Sequence, residues 1–310
     1  MANASLPAAG KHTHRTMPAI VGVMLAMALG LCSGCSSQPT EKVRLATTLM
    51  SCNVAPVKAG AGWKKRKAVL EQIIRDLDPD VIGFQEPRAI QRQTLAKSLT
   101  RYVPWNNEKG RGPGGSQEGN PIFYKKDKYT LDPEESCRFW LSATPEVEAS
   151  VTWNNDHIRI CEVVRLVEKQ TGKGFYVFNS HWSYSSKQAN VKGAELILKR
   201  MKARKYDEPV VLMGDFNATE SHKSIRLVKG PNPYHALVDS YRVLHPDEKQ
   251  VGTYGGFKGK TDSEKIDYIF VDPRRTRVLD AEIIRTQIKG VYPSDHYPLS
   301  AKVVFEYPAN

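Results

Sequence analysis

Polar side chains recur at the ends of apolar runs in this sequence, and this recurrence constrains the fold more than any single motif. The run at 210–213 leads into Gly214, Asp215, Phe216 and Asn217. Two further runs end at 85–86 (Gln-Glu) and 179–181 (Asn-Ser-His), and a fourth cluster, 294–296 (Ser-Asp-His), precedes the alternating run 299–305. Because α/β enzymes keep their chemistry at strand ends, these clusters are expected to converge on one site rather than to form four separate turns.

Two further polar residues extend this pattern. Asn53 follows the apolar-leaning segment 43–50, and Asp267 lies inside the otherwise apolar run 266–270. A buried carboxylate costs several kcal/mol unless it is paired. Asp267 is therefore predicted to orient a neighbouring side chain, with His296 as the candidate.

The stretches between these clusters have helical periodicity. One apolar series with helical spacing ends at Asp78-Pro79, just before the run at 81–84, and a second ends before the run at 210. The two series are Val69, Leu70, Ile73, Ile74 and Leu77, and Val191, Ala194, Ile197, Leu198 and Met201. Strand and helix alternate, so periodicity predicts an α/β fold and no more.

The order of these motifs resembles the endonuclease/exonuclease/phosphatase superfamily, the metal-dependent phosphodiesterases related to pancreatic-type deoxyribonuclease. The resemblance covers residues 43–307, and segments 139–145 and 252–259 look like a bacterial branch of secreted or lipoprotein hydrolases. It implies an α/β (α+β) four-layer sandwich, in which two packed mixed β-sheets are flanked by helices. The active site is then expected at one edge of the sheets.

A phosphodiesterase must neutralise phosphate charge, position a water and stabilise the departing oxygen. Glu86 and Asp295 are hard oxygen ligands suited to Mg²⁺ or Mn²⁺. Asn53 is expected to complete the metal shell or its outer layer. The choice among Mg²⁺, Mn²⁺ and Ca²⁺ stays open.

The resemblance also implies roles for the remaining polar residues. Asp215 would align or deprotonate the attacking water, while Asn217 and His181 would bond the non-bridging phosphate oxygens. His296, held by Asp267, is the other candidate base or a phosphate contact. The sequence does not decide between Asp215 and His296 as the base.

The segment after His181 departs from the family pattern. Many relatives continue with an apolar residue, an Asp and a His, whereas this chain reads Trp182, Ser183 and Tyr184. The site thus lacks a carboxylate that some relatives have, which leaves the substrate open. Trp182 and Tyr184 are candidates for stacking on a base or resting on a lipid, and equally for packing beneath a loop.

The beginning of the chain predicts export to a bacterial envelope. Residues 1–19 are basic without an acid, and the apolar run 20–31 is shorter than the roughly 20 residues that span a bilayer. Small residues before Cys35 resemble a lipoprotein cleavage box. We expect a signal peptide at 1–34, a lipidated Cys35 that binds the membrane, a tether at 35–42 and the enzyme domain at 43–310. The periplasmic or outer-membrane face is the predicted location, and plain secretion is the alternative.

Charge and cysteine content fit this setting. The formal net charge of +12 favours polyanionic partners or simply solubility. Residues 64–67 (Lys-Lys-Arg-Lys) are interpreted as a solvated helix face or a nucleic-acid contact. Cys137 and Cys161 are candidates for a disulfide across a hairpin, and Cys52 for a buried apolar residue. The glycine-rich segment 108–120 is expected to be a mobile loop near the substrate cleft.

Three functions remain compatible with these observations. The first is a phosphodiester hydrolase acting on nucleic acid or a smaller phosphoester. The second is a sphingomyelinase-like lipid-headgroup phosphodiesterase, and the third is a non-catalytic binding domain. The intact set of acidic and histidine residues argues against the third, and no protein partner is predicted.

Overall fold

The computed structural model describes residues 42–105, 119–233 and 236–308. The predicted signal peptide, Cys35, the tether up to residue 41 and residues 108–118 of the glycine-rich segment lie outside the described residues. Those expectations stay predictions. Within the described residues, no helix has the length and apolar character needed to cross a membrane.

The first mixed sheet has six strands and carries both ends of the domain. In spatial order its strands are β11 (Thr276–Ile283), β12 (Leu299–Glu306), β1 (Arg44–Asn53), β2 (Val81–Gln85), β4 (Ile122–Lys125) and β3 (Tyr102–Trp105). Only β1 and β2 run parallel among these neighbours. The last strand therefore lies beside the first, although they are far apart in sequence.

The second mixed sheet also has six strands. In spatial order they are β5 (Tyr129–Trp140), β6 (Ile160–Glu168), β7 (Gly174–His181), β8 (Val210–Asp215), β10 (Asp267–Val271) and β9 (Val238–Asp239). Here β7 and β8 are the parallel pair. Each sheet thus brings two parallel strand ends together, at Asn53 and Gln85 in the first sheet and at His181 and Asp215 in the second.

The outer faces of the sheets are covered by α1 (Trp63–Leu77), α2 (Ala89–Ser98), α3 (Lys187–Lys202) and α4 (Lys223–Lys229). The short helix α5 (Ser240–Leu244) instead contacts β10 and β11, and its Tyr241 packs between the sheets. α1 ends as predicted, because Asp78 before the proline adopts a left-handed conformation with φ 46°. α3 begins where the Ser186 hydroxyl accepts a hydrogen bond from the backbone N of Ala189.

Three apolar clusters separate the four layers. One lies between the sheets and includes Leu49, Val177 and Met213. The other two lie between each sheet and its helices, and contain Phe178 with Ile197 on one side and Phe84 with Ile73 on the other. The predicted four-layer sandwich is confirmed.

Cys137 and Cys161, the candidate disulfide pair, are both free thiols in this structure. Cys137 lies opposite Val163, and Cys161 lies opposite Phe139. The two cysteines are therefore diagonal neighbours, whose Cβ atoms lie about 7 Å apart in a typical ladder. A disulfide needs about 4 Å. The third described cysteine, Cys52, is buried as predicted.

Candidate active site

Four strand ends meet around the buried carboxylate of Asp215. Its Oδ2 accepts a hydrogen bond of 3.0 Å from Asn53 Nδ2, which also donates to Glu86 Oε1 at 3.2 Å. His181 Nε2 lies 3.5 Å from the same Asp215 oxygen and 3.9 Å from Glu86 Oε1. The sequence prediction that Asn53, Glu86, His181 and Asp215 converge is confirmed.

The close approach of β7 and β8 depends on a glycine. Gly214 has φ +144°, and a Cβ built there would lie 1.8 Å from the carbonyl oxygen of Ser180. No larger residue fits this position. The glycine before Asp215 therefore allows the carboxylate to sit directly beside His181.

Asn217 turns the chain back onto the site. Its backbone N donates to Asp215 Oδ1 at 3.0 Å, so Asp215 closes a local turn while its other oxygen faces Asn53. The Asn217 Nδ2 contacts His181 Nε2 at 3.0 Å and donates to the Trp182 carbonyl at 3.1 Å. Asn217 and His181, predicted to share a phosphate, are neighbours.

Asp267 orients His296 as the sequence predicted. His296 Nδ1 lies 2.8 Å from Asp267 Oδ2, and its Nε2 lies 3.7 Å from Asp215 Oδ2. β10 places Asp267 opposite Asp215 in the ladder. The Thr253 hydroxyl accepts hydrogen bonds from the backbone N of Ile266 and of Asp267, which fixes the start of that strand.

The charges of this group are strongly coupled. Burial, reinforced by the Asp267 carboxylate, raises the pKa of Asp215 to about 7. Burial alone would lower the pKa of His296, but the charges of Asp267 and Asp215 outweigh it and raise that pKa to about 10. Burial and the nearby Arg159 guanidinium lower the pKa of His181. At neutral pH the structure therefore presents a cationic His296 and a neutral His181.

The donor atoms fit a hard divalent cation. Glu86, His181 and Asp215 offer ligand atoms that all lie within 4.8 Å of one another, as do Asp215, Asp267 and His296. Carboxylate oxygens dominate these groups, which suits Mg²⁺ or Mn²⁺. Glu86 also has φ 62°, an uncommon conformation for a residue other than glycine that often occurs at functional sites.

Asp295 and Asn53 are the other two predicted metal ligands. Asp295 belongs to neither of these groups among the described residues. Its Oδ1 accepts a bond from Ser294, and its backbone carbonyl accepts bonds from Gly255 N and Gly256 N. Asn53 Oδ1 accepts a bond from Ala55 N, so its amino group, not its oxygen, faces the carboxylates. This orientation favours the outer-layer role for Asn53.

A second polar layer joins the two sheets behind the site. Gln85 Nε2 donates to Asn179 Oδ1 at 2.7 Å, and Asn179 Nδ2 donates to the Phe84 carbonyl at 3.0 Å. Both side chains are fully buried. The sequence identified these positions as strand-end polar residues without a role, and the structure shows that they tie the two sheets together beneath Glu86 and His181.

The segment that departs from the family pattern packs on a neighbouring loop. Trp182 is fully buried against Phe216, so packing is the alternative that holds for this residue. Tyr184 is 63% exposed, and its hydroxyl lies 3.0 Å from His157 Nε2. The Ser183 hydroxyl donates to Asn155 Oδ1 at 2.7 Å. Ser183 thus anchors the loop.

Two buried arginines at the site were not predicted from the sequence. Arg159 Nη1 lies 3.5 Å from His181 Nδ1. Arg66, interpreted within the solvated stretch 64–67, is fully buried, whereas Lys64 and Lys65 are exposed. The signal for Arg66 was its place three residues after Trp63, on the face of α1 that also carries Leu70 and Ile73.

Comparisons with known proteins agree with this geometry. A sequence model described as "Endonuclease/Exonuclease/phosphatase family" matches residues 52–296. Among curated relatives, Protein angel of Drosophila melanogaster is 25% identical over 68% of this chain and 58% of its own length. Nocturnin of the same organism is 25% identical over 76% of this chain and 41% of its own. The chain thus spans about half the length of these relatives.

Solved structures match nearly from end to end. An endonuclease/exonuclease/phosphatase family protein from Bacteroides thetaiotaomicron has a TM-score of 0.73 and 29% identity, covering 86% of this chain and 97% of its own. A mannosyl-6-phosphatase from the same organism has a TM-score of 0.71 and 29% identity, covering 84% and 100%. The likeness extends over both sheets and the site between them.

Proposed function

Because this chain belongs to the endonuclease/exonuclease/phosphatase family, we propose that it is a divalent-metal-dependent hydrolase of phosphoester bonds. The observation that carries the proposal is the position of Asp215, whose Oδ2 is within 3.0–3.7 Å of Asn53, His181 and His296. A binding domain would have no need to bury two carboxylates and two histidines together, because their desolvation is costly.

Glu86 and Asp295 would hold the cation, with Asn53 orienting the carboxylates from the outer layer. When bound, the cation neutralises phosphate charge and so lowers the barrier to attack. Neither Glu86 nor Asp295 is fully buried, and Asp295 lies beside His296 in sequence. Both residues are thus partly exposed to solvent.

Asp215 acts as the base in this proposal. A water oxygen attacks phosphorus, its proton moves to the Asp215 carboxylate, and the phosphorus–oxygen bond to the leaving group breaks. The departing alkoxide takes a proton from solvent and leaves as the alcohol. Asp215 suits this task because its pKa of about 7 lies near operating pH. His296, whose pKa is raised to about 10, is then a cation that would contact a phosphate oxygen.

Asn217 and His181 complete the phosphate contacts. The Asn217 amide is fixed by the Trp182 carbonyl, and neutral His181 has its Nε2 beside it. Both groups lie next to Asp215 and would orient the phosphate relative to the base. Orientation of this kind accounts for a large share of rate enhancement in phosphoryl transfer.

A phosphodiester of nucleic acid or a smaller molecule is the proposed substrate. A phosphomonoester is the second candidate, supported by the 29% identity to a mannosyl-6-phosphatase. The test is hydrolysis by the purified protein of plasmid DNA, RNA, a chromogenic bis-ester, mannose 6-phosphate and sphingomyelin, each with Mg²⁺, Mn²⁺ or EDTA. Cleavage that EDTA abolishes supports the proposal and names the substrate class. A folded protein inactive toward all five would contradict it.

We further propose that the protein is anchored to a bacterial envelope through a lipidated Cys35. This rests on the basic start, the apolar run and the small residues before that cysteine. Fatty-acid labelling of cells expressing the wild type and Cys35→Ser tests it. Label and membrane association should be lost in the variant, and an unlabelled wild type in the medium would point to secretion.

A further inference from the structure

Arg66 is a fully buried cation surrounded by backbone carbonyls. Its Nη1 donates to the carbonyl of Val54 at 2.5 Å and of Pro293 at 2.9 Å. Its Nη2 donates to the Pro56 carbonyl at 2.7 Å, and its Nε donates to the Ala59 carbonyl at 3.1 Å. The planar guanidinium thus joins two segments that are more than 200 residues apart in sequence, as the five donors of arginine permit.

The two joined segments carry residues of the candidate metal site. Val54 directly follows Asn53, and Pro293 lies two residues before Asp295. The Asn53 side chain in turn donates to Glu86 and Asp215. A change in the distance between the two segments would therefore separate Asp295 from the Glu86 side of the site.

A third segment secures this arrangement. The guanidinium carbon of Arg66 lies 5.5 Å from the ring centre of Trp63 and 5.7 Å from that of Phe257. Phe257 belongs to the loop whose Gly255 N and Gly256 N donate to the Asp295 carbonyl. Arg66 thus bonds the segment before Asp295 directly, through the Pro293 carbonyl. It also contacts the ring of Phe257 in the loop that holds the Asp295 carbonyl.

We propose that Arg66 is a positioning residue for the divalent cation. By holding the segment after Asn53 against the segment before Asp295, it fixes the separation of the carboxylates and so sets the affinity of the site for metal. The inference rests on the proposed metal-dependent function and deepens it. Groups that orient metal ligands typically change metal affinity 10–100-fold when they are altered.

Arg66→Lys separates positioning from charge. A lysine keeps the positive charge but offers three donors on one nitrogen, so it cannot bond Val54, Pro293 and Pro56 in one plane. Arg66→Met removes the charge and every donor while retaining much of the apolar stem. Lys65→Met is the matched control, because Lys65 is the exposed neighbour on the same helix turn.

The experiment is Mn²⁺ titration of the purified protein without substrate, followed by electron paramagnetic resonance, with circular dichroism of each variant. We expect Kd for Mn²⁺ to rise at least 10-fold in Arg66→Lys and further in Arg66→Met, with Lys65→Met unchanged. Turnover of Arg66→Lys at saturating metal should recover most of the wild-type value, because the loss lies in metal binding.

Three results would overturn the inference. Folded Arg66→Lys that binds Mn²⁺ with the wild-type Kd would show that Arg66 does not position the ligands. Global unfolding of Arg66→Lys would assign the residue to the fold rather than to the site. A wild type that binds no Mn²⁺ would also remove the basis of the inference, and this outcome is distinct because it contradicts the proposed metal dependence itself.

Discussion

His296 and Asp267 form a close polar contact beside the candidate base, with Nδ1 and Oδ2 separated by 2.8 Å. This contact fixes the imidazole so that Nε2 points at Asp215, 3.7 Å away. Asp267, on β10, thus determines which ring nitrogen of His296 faces Asp215. The orientation and the charge of His296 would therefore both be set before a phosphate group binds.

Asp267→Asn should lower turnover by roughly 10²-fold with little change in fold. The neutral amide neither stabilises the imidazolium nor holds it in one orientation, so the pKa of His296 should also fall. Steady-state kinetics and an NMR titration of the imidazole measure the two effects. Unchanged turnover together with an unchanged His296 pKa would contradict the assigned role.

Asp215→Asn should lower turnover by at least about 10²-fold, because the amide cannot accept a proton from water. The variant keeps the shape of Asp215, but its single carbonyl oxygen can accept from Asn53 Nδ2 or from Asn217 N and not from both. Asp247→Asn, at an exposed position, is the control and should keep full activity. Near-normal turnover in Asp215→Asn would remove this residue as the base and leave His296 as the candidate.

Stability without metal should fall as pH rises from about 6.5 to 10. The pKa of His296 is raised from its ordinary 6.5 to about 10, so its contribution is complete below 6.5 and is lost as pH passes through 10. The raised pKa of Asp215 acts in the same direction up to about pH 7. Thermal unfolding in EDTA should show this slope, and His296→Gln should flatten it. An equal dependence of stability on pH in the variant would show that a group other than His296 titrates in this range.

Gly214→Ala should destabilise the domain by at least about 3 kcal/mol, since the new Cβ would lie 1.8 Å from the Ser180 carbonyl oxygen. Gly172→Ala is a matched control, because Gly172 also has positive φ, at +67°, but has open space around it. That control should cost only about 1 kcal/mol. Urea unfolding of both variants measures the difference, and similar costs would contradict the close packing of β7 against β8.

Cys137 should react alone with a thiol reagent in the native protein. Desolvation raises the pKa of all three thiols, but Cys137 is exposed, whereas Cys52 and Cys161 are buried out of reach of a reagent. Mass spectrometry after native and denatured labelling counts the modified cysteines in residues 36–310. A Cys137–Cys161 disulfide would instead leave both unlabelled until reduction.

The strand-end residues of the site were predictable because local patterns place them. Asp215, His181 and Glu86 each end a run whose apolar residues are buried in the sheets, so their position along the chain fixes their position in space. The pairing of Asp267 with His296 followed from the cost of an isolated buried carboxylate. These inferences need only the physics of a strand and its immediate surroundings.

Arg66 and Trp182 were less predictable because their surroundings come from distant segments. Three lysines beside Arg66 favour a solvated face, and only the packing of α1 against the segments at 54–59 and 293 turns its guanidinium inward. Trp182 is buried by Phe216, which the sequence places in a different motif. The position of β12 between β11 and β1 likewise depends on a contact across the whole chain.

The direction of β1 separates the first described residues from the candidate active site. Lys42 is the first described residue, and β1 then runs from Arg44 to Asn53 in the candidate site. At about 3.3 Å per residue, the strand separates these points by roughly 30 Å. A group joined to the domain before Lys42 would therefore be attached at the end of β1 that lies opposite the candidate active site.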